Sequence, residues 1–281
     1  MIEFLLKKQN SDGGWPYGNG GSWTEPTVYA VRALLAAGET APAKRGIDWI
    51  LRTARPDGGW ASRPGVGESS WVTALATLIP EEYLGEQTSR RTIEWLVGTR
   101  GEDTTAVYTL RERLLGRPAS ADCAHPGWPW TRGAAAWVAP TAAALIALER
   151  EQRLRPSAQN VGQIAGRAAA GRNFLLAHMC REGGWNHGAT NAWGYNMAPY
   201  PETTGMALLA LRGVRAPQME RALAAARRSL STRSADGQNW LRLGLSAHGQ
   251  LPANYRPPEE VAYRTVTEVA LNEIVNRGGL S

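Results

Sequence analysis

A tryptophan that returns at a fixed distance from a helix constrains this chain more than any other feature. Asp12-Gly13-Gly14-Trp15 follows a short helical stretch containing Phe4. Asp57-Gly58-Gly59-Trp60 follows one containing Trp49, and Glu182-Gly183-Gly184-Trp185 follows one containing Phe174. The helix aromatic and the loop tryptophan stand eleven residues apart in all three. Each tryptophan is followed by a second apolar stretch, opening at Glu25-Pro26-Thr27, at Glu68-Ser69-Ser70-Trp71 and at Glu202-Thr203-Thr204. An internal repeat of this kind sets the architecture before any local propensity is read.

The glycine pair is a helix stop with turn chemistry. Proline at Pro26, in the first turn of the next helix, gives up an N–H that has no intrahelical partner there. Each unit is therefore a helix, a corner and a second helix. The first helix of each unit mixes polar and apolar residues, as expected of a helix facing water on one side. The second is rich in Ala and Leu and nearly uncharged, as expected of a helix buried on most sides. The pattern predicts about twelve helices and no strand. Outer and inner helices alternate with a period of roughly 45 to 50 residues, which predicts an α/α toroid of about six hairpins spanning 1–281 as one domain.

Two units depart from the pattern. Ile93-Glu94-Trp95-Leu96 matches Ile47-Asp48-Trp49-Ile50, but no Gly-Gly-Trp follows it directly. A helix is expected to open at Asp103-Thr104-Thr105-Ala106 and run to Leu115. Gly127-Trp128 then reads as a degenerate corner, and Pro140-Thr141-Ala142-Ala143 as another inner-helix opening. The stretches from Asp103 and from Pro140 both read as inner helices, with no outer helix between them.

Composition excludes several classes. The charged fraction is 20% and the net charge +6, but the basic residues are almost all Arg, with Lys only at positions 7, 8 and 44. They are spread along helices, without the stripe that a nucleic-acid surface requires, so no nucleic-acid partner is expected. Gly133 to Leu148 is apolar but shorter than the roughly 20 residues a membrane span needs, so no transmembrane segment is expected. Cys123 and Cys180 have no paired spacing and read as free thiols, and the N-terminal residues do not resemble a leader. Both point to a cytoplasmic protein. No phosphate-loop or nucleophile-elbow motif occurs.

Gln9-Asn10-Ser11-Asp12-Gly13-Gly14-Trp15 resembles the Gln-x-x-x-Gly-x-Trp repeat of the squalene and oxidosqualene cyclases. Pro26-Thr27-Val28-Tyr29-Ala30 and Pro140-Thr141-Ala142-Ala143 are similar to the inner-helix openings of those cyclases and of the protein prenyltransferase β subunits. The resemblance implies an apolar cavity within the ring that holds an isoprenoid, and no cofactor. Asp103-Thr104-Thr105-Ala106 resembles the cyclase motif whose aspartic acid protonates an alkene or epoxide. That resemblance makes Asp103 the candidate proton donor, although Gly101 and Thr104 stand where the motif carries further carboxylates. The chemistry requires an acid kept protonated in a dry site.

Glu25, Glu68, Asp103 and Glu202 read as equivalent inner-helix starts, which would ring one mouth of the cavity with carboxylates. Acids at helix N-termini are also favoured by the helix dipole alone. Trp15, Trp60 and Trp185 read as wedges of the scaffold. Trp23, Trp71, Trp137, Trp193 and Tyr195 sit in or beside the loops feeding inner helices, where they can line the mouth and face a carbocation. Together with Glu25, Glu68 and Glu202 they are the expected substrate-binding set.

The prenyltransferase β subunits bind zinc. Asp122, Cys123 and His125 are ligand types but lie in one long loop, away from the family's positions, and His178, His187 and His248 have no partner spacing. No metal is expected. The leading expectation is a cyclase-like enzyme that starts a cationic cyclisation by protonation. The alternatives are a non-catalytic toroid that binds an apolar ligand or a partner protein and, third, a prenyltransferase β-like subunit.

Overall fold

The computed structural model describes residues 1–104, 106–115, 125–192 and 194–280. Thirteen α-helices occur among them, in the order α1 (Ile2–Lys8), α2 (Thr24–Ala37), α3 (Thr40–Thr53), α4 (Val72–Ala76), α5 (Glu81–Leu84), α6 (Glu86–Gly98), α7 (Ala106–Leu114), α8 (Val138–Leu154), α9 (Val161–Ala177), α10 (Pro201–Ala210), α11 (Met219–Arg228), α12 (Ala235–Ala247) and α13 (Val266–Asn276). Two ribbons that the sequence pattern did not predict pair two residues each, antiparallel: β1 (Trp128–Pro129) with β2 (Ala136–Trp137), and β3 (Asn191–Ala192) with β4 (Tyr195–Asn196). None of the described helices is long and apolar enough to cross a membrane.

The inner helices close into a ring. Helix α2 packs on α4, α4 on α8, α8 on α10, α10 on α12, α12 on α13, and α13 on α2. The chain is an α/α toroid. Five inner helices have an outer partner before them (α1, α3, α6, α9 and α11), whereas α13 is preceded by the non-helical segment 248–265. Composition explains the division. Helix α11 concentrates Met219, Ala222, Ala225 and Ala226 on a buried face and turns its arginines outward. Helix α10 buries residues all round, because neighbours cover it on every side. The tightest joint lies between α10 and α12. A Cβ on Gly205 would sit 2.1 Å from the carbonyl carbon of Trp240, and one on Gly244 would sit 2.5 Å from the Gly205 oxygen. Only two glycines allow these backbones to touch.

Four corners share one hydrogen-bond scheme. The backbone N–H of Trp15, Trp60, Trp128 and Trp185 donates, each at 2.9 Å, to the hydroxyl of Thr27, Thr73, Thr141 and Thr204. The indole N–H donates to a carbonyl at the end of the preceding outer helix: Leu5, Ile50, Leu96 and Leu175, at 2.6–2.8 Å. The fully buried tryptophans thus satisfy an orphan carbonyl at one helix end and are held by a threonine at the next helix start. Gln9 extends the scheme between units, donating to the Gly13 and Pro42 carbonyls at 2.9 Å each. A Cβ on Gly13, Gly58 or Gly183 would strike the carbonyl of Arg45, Arg91 or Arg221 on the next outer helix, and all three glycines have positive φ. The Gln-x-x-x-Gly-x-Trp pattern is therefore a joint between neighbouring units.

This scheme corrects the reading of the third unit. The indole acceptor lies ten residues back in three units but 32 back for Trp128. The third corner is intact and carries an insertion between α6 and Trp128. Asp103 does not open an inner helix. It lies in a one-turn 3-10 helix, Glu102–Thr104, inside the insertion, which also carries α7. The inner helix of that unit is α8, whose Thr141 receives the Trp128 N–H. The absence of an outer helix between Asp103 and Pro140 is resolved by the same assignment.

Candidate functional site

The threonine register decides which residues stand at equivalent places on the mouth. Two positions before each corner threonine lie Glu25, Trp71, Ala139 and Glu202. Glu68 and Asp103 therefore leave the expected series of equivalent acids, and Glu25 and Glu202 keep their place. Asp236 joins them, two residues after the N-cap of α12, as Glu25 and Glu202 are in α2 and α10. Glu268 follows on α13 in a capping box. Thr265 Oγ1 accepts from its N–H at 3.2 Å, and its carboxylate accepts the N–H groups of Arg264 and Thr265 at 2.7 and 2.8 Å.

Glu25 and Asp236 have an unusual environment. Burial pushes the Glu25 carboxyl up to about 7; the Tyr17 hydroxyl, which donates to its Oε2, opposes the rise, and the charge of Asp236 adds to it. Burial likewise lifts Asp236 to about 6, with further contributions from Glu268 and Glu202. No cation figures among the charges acting on either. Tyr29 is fully buried nearby and its hydroxyl has no hydrogen-bond partner; burial and then the charges of Glu25, Tyr17 and Asp236 hold it in the phenol form. Tyr17, the partner of Glu25, meets Trp23 edge-on at 5.3 Å, and Tyr29 meets Trp240 edge-on at 6.3 Å. Arg63 lies 5.0 Å over the Trp23 ring. Sequence reasoning missed Tyr17, Tyr29, Asp236 and Trp240. Asp236 was hidden because its unit carries no Gly-Gly-Trp corner.

The other expected residues are placed as follows. Trp71 is edge-on to Trp130 at 4.9 Å, and its N–H donates to the Trp130 carbonyl at 3.0 Å. Glu68 is exposed on a groove with Trp130 rather than on the mouth. Trp137 caps α8 and is 6.1 Å from His187, which in turn is 5.2 Å from Tyr200. Tyr195 is 76% exposed on β4. Trp193 lies outside the described residues, as do Asp122 and Cys123. Asp103 Oδ1 accepts the Ala136 N–H at 3.1 Å, which ties the insertion to β2. The structure thus brings Trp23, Glu25 and Glu202 together with Asp236, and leaves Asp103, Glu68 and Tyr195 elsewhere.

Among the described residues no three His, Cys, Asp or Glu side chains group closely enough to hold a metal ion. His178 Nδ1 contacts the Phe174 carbonyl at 2.8 Å and its ring stacks on Phe174 at 3.8 Å; His248 Nε2 contacts the Leu208 carbonyl at 2.8 Å. Both have structural partners. The middle of the ring is filled. Leu75, Leu78, Ile146, Met206, Trp240 and Leu280 close on a space of about 10 Å³, at the limit for a single water. At that level Trp240 and Leu280 narrow the space between the inner helices.

No protein-family model matches the chain. Short stretches are similar to terpenoid cyclases. The chain is 42% identical over 64 residues to drimenyl diphosphate synthase of Streptantibioticus cattleyicolor, covering 22% of this chain and 12% of that protein. It is 44% identical over 45 residues to squalene–hopene cyclase of Alicyclobacillus acidocaldarius, covering 15% and 7%. It is 33% identical over 114 residues to lanosterol synthase of Candida albicans, covering 34% and 16%. The matches thus cover only a small part of each relative's length, and they support kinship at the level of a cyclase-like superfamily. Solved structures share the fold over nearly the whole chain. The GH76 α-mannanase BT2949 of Bacteroides thetaiotaomicron has a TM-score of 0.59 at 8% identity, covering 98% of this chain and 81% of that one. A point variant of a glycosidase has a TM-score of 0.55 at 13% identity, with the same coverage. A protein from Actinoplanes has a TM-score of 0.53 at 19% identity, covering 97% and 78%.

Proposed function

We propose that this chain is a terpenoid cyclase-like acid catalyst that works at the mouth of the ring on an isoprenoid, with Glu25 as proton donor. The observation that carries the reading is the pair Glu25 and Asp236, two partly buried carboxyls among aromatic rings with no cation acting on them. Burial lifts both, and Glu25 remains the weaker acid, at about 7 against about 6. Such a pair divides into a donor and an acceptor. Glu25 gives its proton to an alkene carbon, and its carboxylate keeps the Tyr17 hydroxyl as donor. The resulting cation faces the rings of Tyr17 and Trp23. Loss of a proton to Asp236 returns a neutral product.

The test is incubation of the purified chain with squalene, farnesyl diphosphate and geranylgeranyl diphosphate, with product analysis. Glu25→Gln is expected to lower product formation by about 10²-fold or more, the usual contribution of a general acid. Asp103→Asn is the control for the motif resemblance. Product loss in Asp103→Asn with full turnover in Glu25→Gln would transfer the donor's role to Asp103. No product from the unaltered chain with any of the three substrates would favour a binding toroid. A cysteine peptide added with farnesyl diphosphate tests protein prenyl transfer.

A second reading is favoured by the same two carboxylates. An acid and a base of separated acidity also suit glycoside cleavage, and the fold is shared with an α-mannanase. Release of reducing sugar from mannan, lost in Glu25→Gln, would establish it over the first.

A further inference from the structure

We propose that the groove between the second and third corners is a second binding site, which takes small organic phosphates on Arg55, Arg100 and Arg132. The groove holds about 680 Å³, within the range of small-molecule pockets. It shares no residue with the acid mouth. Arg55 comes from the second corner, Trp95 and Arg100 from the end of α6 and the turn after it, and Trp130 and Arg132 from the β1–β2 hairpin. The third corner's insertion leaves α6 at the same place.

Arg55 feels the charge of Asp57, while the other two arginines stand apart from the described acids. Arg55 donates to the Val66 and Gly67 carbonyls at 3.2 and 2.6 Å, and its buried Nε has no partner. Neutral carbonyls fix the guanidinium, and the Asp57 carboxylate offsets part of its charge. Arg100 and Arg132 are exposed and make no ion pair with a described residue. Behind them lies Arg167, 5% exposed, donating to the carbonyls of Thr99, which lines the groove, and Pro126 at 2.8 and 3.1 Å. Its guanidinium stacks on Trp128 at 3.8 Å, and its Nε is buried without a partner. Burial and then the charge of Arg100 bring it down to about 10. A buried cation beside another cation is a standing cost that an anion in the groove relieves.

The groove also carries three acids, of which Asp57 acts on Arg55. Asp57 Oδ1 accepts from the Gly59 N–H at 3.1 Å and the Ser69 hydroxyl at 2.8 Å, so it belongs to the corner. Glu68 and Glu94 are exposed. Guanidinium forks suit phosphate oxygens, and several converging forks favour phosphate or diphosphate over a single carboxylate. Trp95 and Trp130 offer ring surface to the body of the ligand, and Trp71 braces Trp130 edge-on. The ligand class is a phosphate or diphosphate ester with a flat or apolar body, whether isoprenoid or nucleotide.

The experiment is titration of the full chain with inorganic pyrophosphate, farnesyl diphosphate and ADP, read by tryptophan fluorescence and calorimetry, with citrate as a carboxylate control. Saturable binding of pyrophosphate is expected, with tighter binding of at least one of the two esters, which identifies the body. The Arg100→Gln/Arg132→Gln variant is expected to weaken all phosphate binding at least about tenfold. Trp130→Ala is expected to weaken the favoured ester but not pyrophosphate. Glu25→Gln is expected to leave pyrophosphate binding unchanged, which separates this site from the acid mouth. The proposal is overturned by no saturation up to on the order of 1 mM, by citrate binding as well as pyrophosphate, or by unchanged affinity in a double variant that melts like the unaltered chain.

Discussion

The acid mouth makes the stability of this protein fall as pH rises through a defined window. Glu25 moves from an ordinary 4.5 to about 7 on folding, so between those values the folded chain binds more protons than the unfolded chain. Stability is therefore fully present below pH 4.5 and is lost as pH rises through 7. Complete expression of that change would cost about 3 kcal/mol. Glu25 keeps some solvent exposure, which screens the effect, so roughly 1–2 kcal/mol is expected. Asp236, moving from 3.8 to about 6, adds a loss of the same sign at slightly lower pH. Glu25→Gln replaces the carboxyl by a neutral group of the same shape. It should match the unaltered chain at pH 4.5 and exceed it by roughly 1–2 kcal/mol at pH 8. Adding Asp236→Asn should flatten most of what remains. Urea unfolding by circular dichroism, extrapolated linearly at each pH, measures this. Parallel pH profiles for the unaltered chain and Glu25→Gln would refute the argument, as would stability that rises between pH 4.5 and 7.

Two further expectations concern the scaffold. Trp128→Phe removes the indole N–H from the Leu96 carbonyl and the ring face under Arg167, so it should cost about 2–4 kcal/mol in urea unfolding, as Trp60→Phe should. A negligible effect would mean that the third corner is not one of the set. Gly205→Ala places a methyl against the Trp240 backbone and should cost at least about 3 kcal/mol, with loss of the folded state under mild heating. A melting temperature within a few degrees of the unaltered chain would show that α10 and α12 separate easily.

The toroid was legible in the sequence because its corners are local. A tryptophan eleven residues beyond a helix aromatic needs no knowledge of distant chain. The third corner was obscured because 32 residues separate Trp128 from its carbonyl, against ten elsewhere. Glutamate is a poor marker of the inner-helix starts, because it recurs outside the register. Threonine was the available signal, since Thr27, Thr73, Thr141 and Thr204 each receive a tryptophan N–H, and counting back from them reaches Trp71 and Ala139 instead of Glu68 and Asp103. The filled centre depends on Trp240 and Leu280, which come together only when the ring closes, so no local pattern announces it.

The close approach of each corner to the next outer helix has a consequence for how this architecture varies. An open solenoid can lengthen by one unit and keep its shape. Here α13 must meet α2, and three units are indexed to the next by a glycine against a carbonyl. A whole extra unit would leave the circle unable to shut. Novelty must enter where the circumference is unaffected, in the spans between an outer helix and its tryptophan. The segment that follows α6 has done this. It makes the span to Trp128 longer while the tryptophan keeps its two hydrogen bonds. The fold acts as a fixed bearing with variable fittings, and differences between its members should concentrate in those fittings.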